Sequence, residues 1–489
     1  MLRKKVKTRF APSPTGYLHI GGLRSALYAY LFAKQNKGKF ILRIEDTDRS
    51  RYVEGAEIQI MNSLSKIGLK WDEGPYLNND SKIKEKGQNG PYFQSKRLKI
   101  YGKYVDMLLK SDNAYHCFCS EERLKKLREE QKNNNQPTKY DGSCRSLPKK
   151  EVAKKLSNNE EYVIRLKVPD KGEIKFKDII RGQVKFQMED IDDQVILKSD
   201  GFPTYHLAVV VDDHDMGVTH IIRGDDHLIN AGRQSLIYDA MNWKIPEFAH
   251  IPLIHGEDGK KLSKRHGATG IHEYAALGYM PEAIRNYLCR LGWSHGNDEL
   301  FSTADAISWF DFSGIGKSPS RLDFKKLNNV SAHHIKTSSD EMVSNDLFAY
   351  AKEIGIEISE NNKLKITKSI SLVRDKSKTL CDVLDKCHFI FTALPIDFDE
   401  KSLINLNSVS IGILKQLTPL LSDATWTSEY LEALAREFAD SHEIGLGKIG
   451  MPLKAALSGK INSPSAFGMM EILGREESLA RINSAITKN

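Results

Sequence analysis

Apolar positions along this chain follow two alternating rhythms. Val6 to Phe10 reads as a short strand, and Leu23-Arg24-Ser25-Ala26-Leu27-Tyr28-Ala29-Tyr30-Leu31-Phe32 as an apolar, helix-like run. Lys39 to Ile44 again reads as strand and Glu54 to Ile67 as helix. Such alternation predicts a parallel α/β sheet with its ligand at the carboxyl ends of the strands. The character changes from about Ala114 to Met188, where a cysteine cluster, a charged helix and the polar tract Lys132 to Lys139 precede β-like alternation over Tyr162 to Val168. This segment reads as an insertion splitting the sheet domain. The apolar run Tyr205 to Val211 and the strand His220 to Arg223 return to the sheet. Beyond about Lys326 helix-like patterns dominate. Leu431, Leu434, Ala435 and Phe438, for example, fall at i, i+3, i+4 and i+7, with Thr427 placed as an N-cap. No internal repeat is present.

Composition narrows the class. A chain of 489 residues implies several domains, and 40% hydrophobic with 28% charged content is that of an ordinary globular protein. The excess of 72 Lys+Arg over 64 Asp+Glu gives a net charge of +8, which suits a polyanionic partner, although mildly basic proteins are common. No run approaches the ~18 apolar residues a membrane helix needs. Met1 to Lys7 is basic but leads into a strand without a signal-peptide apolar core. Six scattered cysteines make no disulfide framework for this length. The expected compartment is the reducing cytoplasm.

Two segments carry candidate chemistry. In Ala11-Pro12-Ser13-Pro14-Thr15-Gly16-Tyr17-Leu18-His19-Ile20-Gly21-Gly22, the prolines force an extended approach, and His19 with two glycines opens the apolar helix. Strand, turn and helix N-terminus make a phosphate site, because backbone N–H groups and the positive end of the helix dipole face the ligand. His19 can donate to a phosphate oxygen, and the glycines let a flat nucleotide lie close. Taken alone, the stretch reads equally as a Pro/Gly turn before a buried helix with an incidental histidine. The second segment is the glycine-bounded basic loop Gly259-Lys260-Lys261-Leu262-Ser263-Lys264-Arg265-His266-Gly267, which by itself would be a solvated loop. Two further patterns fail. Gly316-Lys317-Ser318 lacks the first glycine of a phosphate loop, Asp311 standing there. Gly445 to Gly450 fits GxGxxG but follows no strand and precedes Pro452, and reads as a turn between helices.

His19-Ile20-Gly21-Gly22 and Lys261-Leu262-Ser263-Lys264-Arg265, in this order, resemble the HIGH and KMSKS signatures of the class I aminoacyl-tRNA synthetases. Their departures from the generic motifs resemble the glutamyl branch. So do Arg9 to Gly16, Arg43-Ile44-Glu45-Asp46-Thr47-Asp48, Tyr140-Asp141-Gly142, Ser199 to Ala208, Ile222-Arg223-Gly224-Asp225-Asp226-His227, Asn286-Tyr287-Leu288 and Lys448 to Gly459. The chain thus resembles bacterial-type glutamyl-tRNA synthetase along its whole length. The resemblance implies an α/β fold: a Rossmann-like parallel-sheet catalytic domain split by an α+β insertion, then an all-α anticodon-binding region. It places the catalytic halves at 1–113 and 191–254, an acceptor-binding insertion at 114–190, a stem-contact region with the KMSKS-like loop at 255–325, and the helical region at 326–489.

The implied reaction activates L-glutamate with ATP and Mg²⁺ and transfers the acyl group to the 3′ end of tRNA(Glu). By the same resemblance His19, Lys261 and Lys264 are catalytic, with His19, Gly21, Gly22 and Lys264 on ATP. Arg9, Ser13, Glu45, Tyr205 and Arg223 form the glutamate pocket. Family members usually carry a polar residue, often Asn, where this chain has Val209. Lys376 falls at an anticodon-reading position often held by arginine, which leaves charging of tRNA(Gln), as well as or instead of tRNA(Glu), as an alternative. Cys117, Cys119 and Cys144 resemble the zinc-binding part of the insertion. Ser146 stands where some relatives have His, so Tyr140 is the candidate fourth ligand for a structural Zn²⁺, and three reduced thiols without metal are the alternative. A non-catalytic tRNA-binding paralogue is opposed by the intact His19, Lys261 and Lys264. A truncated paralogue acting on a modified tRNA base is opposed by the long C-terminal part. The family suggests a monomer and no membrane partner. Lys264→Ala is expected to nearly abolish amino-acid activation while leaving the fold intact, as checked by pyrophosphate exchange beside circular dichroism.

Overall fold

In the computed structural model, which describes residues 5–260, 262 and 270–488, the strands Lys7–Phe10 and Lys39–Leu42 pair in parallel, with Arg9 opposite Ile41. They are joined by the helix Ile20–Gln35, which buries Leu23, Ala26, Leu27 and Leu31 completely. A second parallel pair, His220–Gly224 with Glu247–Ile251, is joined by the helix Leu228–Ala240. Thr219 donates its backbone N–H to the Lys7 carbonyl at 2.9 Å, and Lys7 donates to the Thr219 hydroxyl at 2.8 Å, tying the two pairs together. The alternation read from the sequence therefore closes as a parallel arrangement.

Strand pairing continues past Leu42 one residue at a time. Arg43 donates to the Phe10 carbonyl, Ile44 to Tyr92 and Glu45 to Pro12, each near 3 Å. This extended exit presents Arg43 and Glu45 beside Arg9, at the carboxyl ends of the strands, where open parallel sheets hold ligands.

Tyr205 to Val211 is not part of the sheet, contrary to the expectation from its apolar run. It opens the helix Tyr205–Asp215. The run Val209-Val210-Val211 favours a strand intrinsically, but Leu207, Ala208, Val210 and Val211 are buried in a core that includes Tyr101, Val105 and Leu108. A segment apolar on all sides carries no period that separates helix from strand. Pro203 precedes the helix, and Gly217, with φ +68°, turns the chain out of it.

The segment read as an insertion supplies two strands, Ala114–Cys117 and Val163–Leu166, of an antiparallel sheet whose third strand, Val195–Leu197, lies past the expected end at 190. Its hairpin, Glu173–Asp178 with Gly182–Gln187, joins the parallel sheet through Phe248 and Asp178. By packing, the chain forms two compact units, Met1–Ile271 with Arg285–Leu322, and His272–Ile284 with Asp323–Asn489.

From Phe324 onward the described residues form only helices and turns. Their starts are capped in sequence-legible ways: Asp323, Ser339, Ser359 and Asn407 each accept a backbone N–H three residues on. Thr427 caps the helix Ser428–Ser441 as predicted, and Leu431, Ala435 and Phe438 are its buried face. Gly447 is a different case. The Gly445 to Gly450 stretch is a turn only at its start, and the helix Gly447–Ser458 takes in Pro452, which is buried with Ile449, Leu453, Ala456 and Leu457. Burial on one side of that helix outweighs the hydrogen bond that proline removes. Arg481 pins this unit from inside, its guanidinium donating to the Phe389, Leu457 and Thr392 carbonyls and pairing with Glu477. No helix among the described residues is long and apolar enough to cross a membrane.

Candidate active site

His19 is the N-cap of the helix Ile20–Gln35: its backbone is extended and its Nδ1 accepts the Gly22 N–H at 3.2 Å. An accepting Nδ1 in a neutral ring leaves the proton on Nε2. The cap explains the glycines beside it. A Cβ at Gly21 would stand 3.1 Å from the His19 ring, and one at Gly22 would stand 2.9 Å from Leu18 Cδ1. The first turn of this helix carries N–H groups that no upstream helical carbonyl can take, so it is electropositive whatever binds there.

Behind this turn lies a buried network of guanidinium and carboxylate groups. Asp213 accepts Arg9 Nε at 3.2 Å and Arg43 Nη1 at 2.7 Å. Arg43 Nη2 reaches Glu45 at 3.0 Å. Asp212, on the same helix, accepts Arg97 Nε at 2.6 Å, Gln94 at 2.8 Å and the Tyr101 hydroxyl at 3.0 Å. Burial raises the Asp213 carboxyl, but Arg9 and then Arg43 outweigh it, and the group lies below the ordinary carboxylate range. At Glu45 burial wins over Arg43 and Arg9, and the carboxyl is raised. A buried pair contributes little net stability against an apolar replacement, yet losing one partner is costly. The network therefore fixes side-chain positions more than it drives folding.

Arg223 stands apart from it. The residue is buried; Nε donates to His250 Nε2 at 3.0 Å and Nη2 to the His227 carbonyl at 3.4 Å, while Nη1 has no hydrogen-bond partner. Among the described residues no carboxylate lies at ion-pair distance from it. Burial lowers its pKa, as expected for a cation held out of water without a counter-ion. Tyr205 lies near Arg223. Burial pushes its phenol above the ordinary range, with Arg223 opposing, Glu45 adding and Arg9 opposing, so these four groups are electrostatic neighbours. The Tyr205 hydroxyl sits 3.4 Å from His227 Nδ1, and burial followed by Arg223 pushes His227 down to about 4, leaving it neutral at pH 7. Val209, one turn after Tyr205, is buried and adds no polar atom. Arg9, Glu45, Tyr205 and Arg223 thus come together, whereas Ser13 lies exposed on the loop that carries Pro12 and Pro14. Lys261 and Lys264 lie outside the described residues.

In the insertion, the Cys117, Cys119 and Cys144 sulfurs lie within 4.8 Å of one another. The Tyr140 hydroxyl is 3.3 Å from Cys117 Sγ and 3.5 Å from Cys119 Sγ. Ligands on a tetrahedral zinc are separated by about 3.8 Å, so three thiols and this phenol oxygen have the right number and spread. Ser146 is exposed and takes no place in the cluster. Hydrogen bonding from Cys144, opposed by burial and helped by Tyr140, draws the Cys117 thiol down. In the second unit Lys376 is exposed in the single turn Arg374–Lys376. Burial and then Lys376 lower Lys454, whose Nζ donates to the Ser463 carbonyl at 3.1 Å, so two amines share that face.

The groups that reading the sequence missed are Asp212, Asp213, Asp178 and His250, together with the role of Arg43. Two adjacent acids closing the run Val209-Val210-Val211 were the available signal, since acids rarely follow a buried stretch into the core unless paired.

A parallel sheet with a capped, glycine-bearing helix start, joined to a helical unit, is the architecture of a class I synthetase. The family described as tRNA synthetases class I (E and Q), catalytic domain, matches residues 5–329, and the anticodon binding domain family matches 342–486. "Glutamate--tRNA ligase 2" of Paracoccus denitrificans is 47% identical over 98% of both chains, and "Glutamate--tRNA ligase 1" of Bartonella bacilliformis 46% identical over 98% of both. A crystal structure of a glutamate tRNA ligase from Elizabethkingia meningosepticum in complex with its amino acid is 37% identical, with a TM-score of 0.81 over 99% of each chain. The chain belongs to the glutamyl-tRNA synthetase family.

Because the Asp213 pKa is depressed in the folded state, its stabilisation is present above the unfolded value near 4 and is lost as pH falls through the folded one. Asp213→Asn is expected to destabilise the protein by about 3 kcal/mol at pH 7. That difference should shrink below about pH 4, which urea titrations of both proteins at pH 7 and pH 3 would measure.

Proposed function

We propose that this chain is a glutamate–tRNA ligase that activates L-glutamate with ATP and esterifies the 3′-terminal adenosine of tRNA(Glu). The observation that carries the reading is Arg223: a buried guanidinium with an unpartnered Nη1 and no carboxylate beside it is a seat for an anionic side chain. Arg223 and Arg9 take the γ-carboxylate of glutamate, and Tyr205, Glu45 and Ser13 complete the pocket. Glutamine is nearly isosteric, so size cannot exclude it. It would leave the buried Arg223 charge without a counter-ion, and that cost discriminates.

An oxygen of the glutamate α-carboxylate attacks the α-phosphorus of ATP, and the bond to the bridging oxygen breaks to release pyrophosphate. A hydroxyl of the tRNA terminal ribose then attacks the activated carbonyl and AMP leaves. Neither step asks for covalent work from the protein, so positioning and charge stabilisation carry the catalysis. His19 Nε2–H and the helix start with Gly21 and Gly22 hold ATP phosphates and adenosine. Lys261 and Lys264 neutralise charge on the leaving pyrophosphate. Mg²⁺ accompanies ATP and supplies further charge neutralisation on its phosphates.

The helical unit reads the anticodon, with Lys376 as the contact and Lys454 beside it. The insertion binds the acceptor end, and Cys117, Cys119, Tyr140 and Cys144 hold a structural Zn²⁺ that ties the strand Ala114–Cys117 to the loop at Tyr140. The protein acts as a monomer in the cytoplasm. A reading that includes tRNA(Gln) is favoured by one observation, lysine rather than arginine at position 376.

Charging of purified tRNA(Glu) and tRNA(Gln) side by side is the direct test. Glutamate should be esterified to tRNA(Glu), and its absence from that tRNA refutes the assignment, while the tRNA(Gln) lane decides strictness. Metal analysis of the purified chain should find close to one zinc per molecule, and a content far below one removes the cysteine site.

A further inference from the structure

The orientation of Arg223 is set by a chain of hydrogen bonds that begins on the insertion hairpin. Asp178 closes the strand Glu173–Asp178 and is fully buried. Its Oδ1 accepts the Ile180 and Arg181 backbone N–H groups at 2.9 and 2.8 Å, which fixes the carboxylate against its own turn. Its Oδ2 meets His250 Nδ1 at 2.7 Å and accepts the His250 backbone N–H at 3.1 Å. His250 is also fully buried, and Arg223 donates Nε to its Nε2 at 3.0 Å. Arginine has no acceptor, so Nε2 must be the accepting nitrogen and the single ring proton sits on Nδ1, donated to Asp178. Each group therefore has its role dictated by the next.

We infer that His250 and Asp178 are positioning residues for Arg223, holding its guanidinium so that Nη1 stays directed into the glutamate pocket. The inference rests on the glutamate pocket proposed above and names what maintains it. Arg223 needs such help because the acids nearby are spent elsewhere: Asp213 on Arg9 and Arg43, Glu45 on Arg43. A carboxylate placed directly on Arg223 would compete with the substrate's own. A neutral imidazole orients the guanidinium without neutralising it, and Asp178, one residue further back, fixes the tautomer. The Phe248 ring, 5.5 Å from the Arg223 guanidinium carbon, supports it from the same strand as His250. A second tether runs beside the first, from Arg181 to Asp225 two residues after Arg223.

The test is steady-state aminoacylation by the full-length enzyme with glutamate, ATP and tRNA(Glu) varied in turn. His250→Asn keeps an amide near Asp178 but falls short of Arg223, whereas His250→Gln puts an amide oxygen close to where Nε2 was. His250→Asn should raise the KM for glutamate roughly tenfold or more, the loss of a charged hydrogen bond. The KM values for ATP and tRNA should stay within about twofold, and His250→Gln should recover most of the loss. Asp178→Asn should resemble His250→Asn, because an amide donor at Nδ1 moves the ring proton to Nε2, against Arg223. In an Arg223→Ala background, which alone raises the KM for glutamate, His250→Asn should add nothing further. An unchanged KM for glutamate in His250→Asn, with a large rise in Arg223→Ala, overturns the positioning role and leaves the pocket standing. All three KM values rising together in both His250 variants, with a lowered unfolding temperature, also overturns it in favour of a structural role. No rise in Arg223→Ala overturns the pocket itself, and this inference with it. Should His250→Asn fail to fold, Asp178→Asn and His250→Gln decide by the same readings.

Discussion

The active-site half of this protein depends on the grip of two adjacent aspartates on three buried arginines. Asp213 holds Arg9 and Arg43, and Asp212 holds Arg97. These arginines come from the first strand, the exit of the second and the approach to the helix Leu98–Lys110, so one turn of helix fixes three separate stretches of chain. Buried ion pairs do not repay their desolvation generously. Their value here is geometric: Arg43, bonded to Asp213 and Glu45, and Arg97, bonded to Asp212 and Asp215, are each held on two sides.

Beside that network Arg223 is buried with no carboxylate at ion-pair distance among the described residues and with its Nη1 unpartnered. Arg223 is oriented by a neutral histidine and a backbone carbonyl, neither of which satisfies its charge. In the proposed pocket, an anionic side chain would relieve a burial penalty that a neutral amide of the same shape would not. On the proposed reading, discrimination by charge follows from how the fold distributes its acids, with Asp178, Asp212, Asp213 and Glu45 all committed to other partners.

Much of the architecture was legible along the chain. Strand and helix alternated in the first hundred residues as the sheet required, and Thr427 with Leu431, Ala435 and Phe438 announced a capped amphipathic helix. Arg9, Glu45, Tyr205 and Arg223, singled out by resemblance, are electrostatic neighbours in the fold. The misreading of Tyr205 to Val211 had a definite cause. Local β-branched preference was the only signal in a segment buried on every side, and tertiary burial overrode it. Pro452 inside a helix was unreadable for the same reason: the apolar residues that make the helix worth forming are recognisable only once their packing partners are known.

The sequence by itself determined the order of elements, the capped helix start at His19 and the chemical kinds of group available. Those properties depend on neighbours within a few residues: a side chain that can cap, a glycine that leaves room, a period of 3.6. Only the tertiary structure decided which arginine is neutralised and which is not. Arg9 and Asp213 are separated by 204 positions, and Asp178 and His250 by 72. A charge's partner is chosen by distance in space and by the dielectric around it, and neither quantity exists until the chain has folded.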